Sequence, residues 1–194
     1  MRLLATALAA ALFAMAGCGK AAPPASESAP VADHAWVQIT ALGAEARLVT
    51  ATQVCPAISL DGKATQMALR AGPSADFPLR VCQALLPKGI RSASVRGMPL
   101  PIPAAEPKRI VIFGDTGCRL KGAEIQDCDK PADWPFAEVV RLAAAHRPDL
   151  VIHVGDYYYR ESPCPAGRIG CAGTPWGDNW ASWDADFFAP AAPL

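Results

Sequence analysis

The sequence RIVIFGDTG, residues 109–117, is a continuous apolar run that ends in a Gly-Asp turn. Apolar side chains at successive positions are typical of a central strand of a parallel sheet, which is covered on both faces. A second, mostly apolar run at residues 149–154, which contains His153, is the next strand candidate and ends in Gly155-Asp156. The two runs therefore predict neighbouring strands, each of which ends beside an aspartate.

The residues between the two runs predict a helix. Asp133, Pro135 and Glu138 are typical of a helix start, and apolar side chains then recur at helical spacing from Phe136. The helix is expected to end around His146-Arg147-Pro148, because proline disfavours a helical conformation in the residue before it. We therefore expect a β-α-β unit with parallel strands and a right-handed crossover.

The chain upstream of this unit has a different pattern, in which short alternating segments are separated by turn signals. Asp61-Gly62 lies between two such segments and predicts a hairpin. Residues 34–105 are therefore predicted to form a small antiparallel β-sandwich, followed at 106–194 by the start of an α/β domain. The strand candidates in the sandwich are Trp36–Ile39, Ala46–Thr50, Ala57–Leu60, Phe77–Cys82 and Ser92–Val95.

The charge of the chain excludes one class of partner. Lys plus Arg and Asp plus Glu each total 18 among the 194 residues, so the net charge is zero. A nucleic-acid-binding protein needs a basic excess to hold phosphate backbones, and none is present. We therefore expect no nucleic-acid partner.

The N-terminal residues are typical of an export signal. Residues 1–17 combine a positive start with an apolar run too short to span a bilayer, which is typical of a signal peptide. The run ends in Met15-Ala16-Gly17-Cys18, which resembles a bacterial lipobox, so Cys18 is the predicted lipidation site. The alternative is an ordinary leader with an incidental cysteine. Residues 18–33 are rich in Ala, Pro and Ser and predict a tether. Lipidation would place the protein in the bacterial cell envelope, on the outer membrane facing the periplasm.

Six further cysteines suggest disulfides, since an exported chain with an even number commonly pairs them. Six cysteines allow 15 pairings, and the sequence leaves them open; pairing of neighbours along the chain is the simplest. Zinc ligation is disfavoured because no spacing matches a zinc motif. The six are Cys55, Cys82, Cys118, Cys128, Cys164 and Cys171.

Asp115 and Asp156 are the strongest candidates for chemistry. Each follows a glycine at the carboxyl end of a predicted parallel strand, and open α/β sheets bind ligands at that edge. Two carboxylates in one place repel each other unless cations or protons neutralise them. Hard cations prefer such oxygen ligands. The alternative is that each Gly-Asp forms only a turn.

Tyr159 extends the second motif to Gly155-Asp156-Tyr157-Tyr158-Tyr159. With Gly114-Asp115-Thr116-Gly117, this stretch resembles the GDxG and GDxxY motifs of the metallophosphoesterase (calcineurin-like phosphoesterase) superfamily, in its purple-acid-phosphatase-like branch. Many relatives have histidine where this chain has Gly117, and the purple-type branch replaces that ligand with a tyrosine. The resemblance implies that residues 106–194 are the N-terminal part of an α/β metallophosphoesterase domain, a truncated βαβ unit.

The resemblance also implies the roles of these residues. Asp115 and Tyr159 would bind the first metal ion and Asp156 would bridge two ions, namely iron and a divalent metal such as Zn, Mn or Fe. The implied activity is hydrolysis of a phosphoester substrate by a bridging hydroxide. No other catalytic residue is identified beyond the metal ligands.

The family's later motifs, GNH[DE] and GHxH, do not occur in this sequence. The chain is therefore expected to be the N-terminal fragment of an exported hydrolase and to be inactive when isolated. Such an incomplete sheet is also expected to leave apolar faces uncovered. The alternative is a non-catalytic periplasmic lipoprotein, a degenerate phosphoesterase that acts as a binding module.

Other side chains near these motifs are expected to be structural. His34 is predicted to be solvated, and His153 to be a core residue or to lie behind the metal ligands. Arg160 is expected either to approach a substrate phosphate or to pair with a carboxylate. Aromatic residues near the C-terminus predict a helix stripe that packs on the sheet, with a cleft wall as the alternative. The stripe is Trp176, Trp180, Trp183 and Phe187.

Overall fold

The computed structural model describes residues 33–194, and eight strands lie in the first half of that range. The predicted signal peptide, Cys18 and the tether up to residue 32 lie outside the described residues. The eight strands are β1 (His34–Thr40), β2 (Gly43–Thr50), β3 (Ala57–Leu60), β4 (Lys63–Gln66), β5 (Ala68–Ala71), β6 (Arg80–Leu85), β7 (Ala93–Val95) and β8 (Met98–Leu100).

These strands form two four-stranded antiparallel sheets, so the predicted sandwich is confirmed. The strand orders are β1-β2-β6-β5 and β4-β3-β7-β8. Leu48, Ile58 and Val95 are among the buried apolar residues that fill the core. The Cys55–Cys82 disulfide joins β6 of one sheet to the segment that leads into β3 of the other.

The hairpin predicted at Asp61-Gly62 is confirmed as the connection between β3 and β4. Both residues have positive φ (47° and 79°), as a two-residue hairpin turn of this type requires. The prediction of a strand from Phe77 was wrong in its first half, because β6 begins only at Arg80. Phe77 instead closes a turn in which its carbonyl accepts from the Ser74 amide (2.9 Å), and Pro78 has no N–H to offer a neighbouring strand.

The second half of the chain contains the predicted β-α-β unit. Its elements are β9 (Ile110–Gly114), a small hairpin of β10 (Leu120–Lys121) and β11 (Glu124–Ile125), α1 (Phe136–Ala145) and β12 (Leu150–Val154). Strands β9 and β12 pair in parallel over their full length. His146 caps the end of α1, so the predicted helix end is confirmed.

The parallel pair is covered on one face only, which differs from the central-strand prediction. On the covered face, Phe113 meets Phe136 of α1 edge to face at 5.8 Å. On the other face, aliphatic side chains are exposed to solvent, because within residues 33–194 no element packs on them. They are Ile110 (49% exposed), Ile112 (65%), Ile152 (37%) and Val154 (53%).

Asp149 fixes the start of the parallel pair. Its Oδ2 accepts from the backbone amides of Lys108 (3.0 Å) and Arg109 (2.9 Å), and its Oδ1 accepts from the Arg109 guanidinium (3.2 Å). These bonds favour the charged carboxylate and lower the pKa of Asp149 from 3.8 to about 2. The bond from the Arg109 amide makes the largest contribution to this shift.

The low pKa of Asp149 predicts a pH dependence of stability. Its contribution should be complete above pH 3.8, the usual value, and should disappear as the pH falls through about 2. We expect Asp149→Asn to flatten the fall of the melting temperature over this window. Thermal melts of the wild type, of Asp149→Asn and of the exposed control Asp76→Asn check this. A fall that is equally steep in all three proteins contradicts it.

The C-terminal helical segment joins the two halves. It consists of α2 (Trp180–Trp183), a π-helical turn (Asp184–Phe188) and α3 (Ala189–Ala191). Trp180 packs with Val49 and Leu79 of the sandwich half, whereas Phe187 stacks on Phe136 of α1 at 6.2 Å. Both residues therefore pack against other elements, but only Phe187 contacts the parallel pair, through His153 of β12 (5.4 Å between rings).

Two predictions near this segment were wrong. His34 is packed rather than solvated: its Nε2 lies 2.7 Å from Asp184 Oδ1, and its ring lies 5.5 Å from that of Phe188, because β1 presents this face to the helical segment. Trp176 is not part of the helical stripe. The helix begins after Asn179, whose side chain accepts from the Ser182 amide, and Trp176 remains 51% exposed.

Pro190 accounts for the π-helical turn. A proline inside a helix has no N–H for the carbonyl four residues earlier, and its ring contacts that carbonyl. The helix widens here, and the amide of Ala189 bonds the carbonyl of Asp184, five residues back. The turn places Asp186 in the interior, where the residue is fully buried.

Three disulfides join the six cysteines of the described residues. The pairs are Cys55–Cys82, Cys118–Cys128 and Cys164–Cys171. Pairing of neighbours along the chain, the simplest of the open possibilities, is thus confirmed. Such pairs are typical of proteins that fold outside the cytoplasm. Among residues 33–194, no helix combines the length and the apolar character that crossing a bilayer requires.

Candidate metal centre

The structure brings together all three predicted metal ligands. Asp115 follows β9 and Asp156 follows β12, so parallel pairing places them at one edge. Asp115 Oδ1 accepts from the backbone amide of Asp156 (3.0 Å) and from Tyr159 Oη (2.9 Å). The GDxG and GDxxY stretches are therefore in contact, and neither forms an isolated turn. Their oxygen-bearing side chains lie in one cluster.

Two positions in these stretches must be glycine, because the loops after β9 and β12 approach each other closely there. A Cβ atom at Gly155, which has φ +87°, would lie 2.5 Å from Asp115 Oδ1. A Cβ atom at Gly117 would lie 2.7 Å from the backbone nitrogen of Tyr159. Side chains at these positions would force the two loops apart, so the glycines permit the contact between Asp115 and Tyr159.

In the hydrogen bond between Tyr159 and Asp115, the proton belongs to the phenol at neutral pH. The Asp156 amide, and then the Tyr159 hydroxyl, lower the pKa of Asp115. The hydrogen bond to Asp115, together with burial and a contact to the Asp156 carboxylate, raises the pKa of Tyr159 to about 12. The cluster thus contains charged carboxylate and a neutral phenol that donates to it.

A cleft of about 530 Å³ opens beside Asp115 and Tyr159. Its wall includes Arg119, whose guanidinium lies 4.5 Å from the centre of the Tyr159 ring. Arg119 pairs with Glu124 at 3.1 Å, and the Glu124 side chain is 71% exposed. An exposed ion pair of this kind is weak, so the guanidinium is available to an anion in the cleft. Trp134 also lines the cleft, and its indole N–H donates to the Thr116 carbonyl (2.8 Å).

His153 lies behind the three candidate metal ligands, which is one of the two positions predicted for it. Its Nε2 is 2.9 Å from Thr116 Oγ1, and its ring stacks on Tyr157 at 4.0 Å. Burial lowers the pKa of His153, against the opposing charge of Asp115. A neutral imidazole here supports the loop that carries Asp115. Tyr158 also packs, since its ring stacks on Trp183 at 5.9 Å.

Arg160 pairs with a carboxylate, which is the second of the two roles predicted for it. Its guanidinium Nε pairs with Asp186 Oδ1, and the two side chains are 3% and 0% exposed. The guanidinium also lies 5.3 Å from the ring centre of Trp134. Burial raises the pKa of Asp186, and the charge of Arg160 opposes this. Arg160 is therefore held in the interior and does not face the cleft.

The sequence patterns assigned no role to Asp186 or Arg119. Asp186 directly precedes Phe187 of the aromatic stripe, but Asp184 lies two residues earlier, so the sequence alone does not show which of the two carboxylates is buried. Arg119 follows Cys118 directly in the sequence, and only the fold brings it over Tyr159.

The donor set of the cluster suits a hard cation, since it offers carboxylate and phenol oxygens. Asp115 Oδ2 makes no hydrogen bond within the described residues and is open to an ion. Across residues 33–194, no group of three or more His, Cys, Asp or Glu side chains has an arrangement that could hold a metal. Within the described part of the chain, the candidate centre comprises Asp115, Asp156 and Tyr159.

Comparisons of the chain with protein-family models, with curated proteins and with solved structures found no match.

Proposed function

We propose that this chain carries one side of a binuclear metal centre of a phosphoester hydrolase. Asp115 and Tyr159 hold the first ion, iron, and Asp156 bridges to a second, divalent ion such as Zn, Mn or Fe. The observation that supports this most directly is the contact of Asp115 Oδ1 with both the Tyr159 hydroxyl and the Asp156 amide. A turn role alone would not require the phenol of Tyr159 at this point.

The residues around the cluster fit a phosphoester substrate. When bound, the ions supply a hydroxide nucleophile and stabilise charge on the phosphoryl oxygens. Arg119 is the cleft side chain that can pair with a phosphate oxygen, because its present partner Glu124 is mostly in solvent. The cleft beside it has room for the organic part of the ester.

Metal titration tests the proposal. We expect the 194-residue chain to bind ferric iron with a visible phenolate-to-iron absorption band, and Tyr159→Phe to lose that band. Asp156→Ala should weaken binding of the divalent ion by more than about 100-fold, which exceeds the usual effect of removing an outer partner. Because the pKa of Tyr159 is about 12, iron binding should release its proton and weaken as the pH falls.

The control for this titration is Asp76→Ala, an exposed carboxylate of the sandwich half. It should bind both metals as the wild type does. The proposal fails if the wild type binds neither ion, or if Asp156→Ala and Asp76→Ala bind equally well. Phosphomonoester turnover by the isolated chain is expected to be weak or absent. Strong turnover that Asp156→Ala abolishes would contradict the expectation that the isolated chain is inactive.

A non-catalytic binding module is the second candidate. The exposed aliphatic face of β9 and β12, which includes Ile112 at 65% exposure, favours it. A face of this kind commonly contacts another protein surface. The same titration separates the two candidates, because a binding module predicts no difference in metal affinity between Asp156→Ala and Asp76→Ala.

The proposed location is the cell envelope, with the chain anchored to the outer membrane through lipidated Cys18 and facing the periplasm. The three disulfides support export. Cys18 lies outside the described residues, so this part of the proposal depends on the lipobox resemblance. The mass of the mature N-terminal peptide tests it, since an unmodified Cys18 excludes the anchor.

A further inference from the structure

Asp186 contacts both loops of the candidate centre. It is fully buried in the π-helical turn between α2 and α3. Its Oδ1 accepts from the backbone amide of Cys118 (3.1 Å) and from Arg160 Nε. Its Oδ2 accepts from the backbone amide of Tyr159 (3.0 Å). One carboxylate therefore joins the loop after β9 to the loop after β12.

The two amides belong to the stretches that carry the proposed ligands. Cys118 is three residues after Asp115, and Tyr159 is itself a proposed ligand. Between them, Gly117 approaches the Tyr159 backbone so closely that a Cβ atom would clash with it. The separation of the loops is therefore set at this point, where the Asp186 carboxylate holds both.

We propose that Asp186 is a positioning residue that holds the loops of Asp115 and Tyr159 at the separation a shared metal ion needs. This inference rests on the proposed function for its link to metal. Asp186 is fully buried and does not line the cleft, so it acts through the Cys118 and Tyr159 amides.

A carboxylate is required because three donors converge on two oxygens. Asparagine has one acceptor oxygen, and its NH₂ group would face one of these donors instead of accepting from it. Asp186→Asn therefore keeps the size of the side chain and removes at least one of the two amide bonds. The widened turn supports a specific role, since π-helical turns are frequent at functional sites.

The test compares Asp186→Asn with Val140→Ala in the full chain. Val140 is fully buried in α1 and belongs to neither loop, so Val140→Ala is expected to destabilise the core. In Asp186→Asn we expect hydrogen exchange to become about tenfold faster at the Cys118 or Tyr159 amide, and the affinity for ferric iron to fall by about 10–100-fold. In Val140→Ala, the melting temperature should fall while the affinity for ferric iron and the relative protection of these amides stay as in the wild type.

The two readouts separate the possible failures. If the wild type binds no ferric iron, the proposed iron site of Asp115 and Tyr159 fails, and the exchange of the two amides still decides whether Asp186 positions the loops. If both amides stay protected in Asp186→Asn, the positioning role is overturned whatever the metal result. If the amides loosen but the affinity for ferric iron is unchanged, the link between loop separation and metal binding is overturned.

Discussion

Replacing Arg160 with methionine is expected to lower the free energy of unfolding by about 3–5 kcal/mol, the usual effect of breaking a buried ion pair. Arg160 is 2% exposed and Asp186 is fully buried. Methionine fills much of the volume but carries no charge, so the Asp186 carboxylate would remain in the interior without its counter-ion. The contact of the guanidinium with the Trp134 ring would also be lost.

Denaturant unfolding of Arg160→Met and Arg141→Met measures this effect. Arg141 also pairs with a carboxylate, Glu138, at 2.6 Å, but both side chains are at least half exposed. Exposed pairs contribute little to stability, so Arg141→Met should unfold nearly as the wild type does. In Arg160→Met/Asp186→Asn the unpaired charge is gone, so part of the loss should return. Equal stability of the two single variants would show that the buried pair does not stabilise the fold.

The sequence predicted the β-α-β unit because its signals are local. Strand β9 is a continuous apolar run and β12 is apolar except for His153, and α1 has a recognisable start at Pro135 and a proline after its end. Parallel pairing then follows from the connection between them, and it brings Asp115 and Asp156 to one edge. These steps use only neighbouring residues and a general rule of handedness, so they needed no knowledge of the rest of the chain.

The contacts of Asp186 could not be predicted in this way. They join residues 68 and 27 positions apart in the chain, at Cys118 and Tyr159. They also depend on a π-helical turn, whereas the 4-3-4 spacing of the aromatic stripe predicts a regular helix. For the same reason His34 was expected to be solvated, because only the returning C-terminal segment covers it. Long-range packing of this kind leaves little trace in local patterns.

Gly117→Ala is the second change with a large expected effect, about 1–3 kcal/mol, which is typical of overpacking in a tight interior. The new Cβ would lie 2.7 Å from the Tyr159 nitrogen and 3.0 Å from the carbonyl carbon and Cα of Tyr158. All three are backbone atoms, so no side chain can turn away to relieve the clash. The loop of Tyr159 must move, and the hydrogen bond of its hydroxyl to Asp115 should weaken.

Gly72→Ala is the matched control. Neither glycine has positive φ, and at Gly72 a Cβ atom would meet nothing within 4 Å. That change should be neutral or should stabilise the chain by up to about 1 kcal/mol, through the unfolded state. Unfolding and iron binding of the two variants decide the point. If Gly117→Ala matches Gly72→Ala in stability, the close approach is not a constraint. If it is destabilised yet binds iron as the wild type does, Gly117 maintains the packing of the loops without setting the geometry of the metal centre.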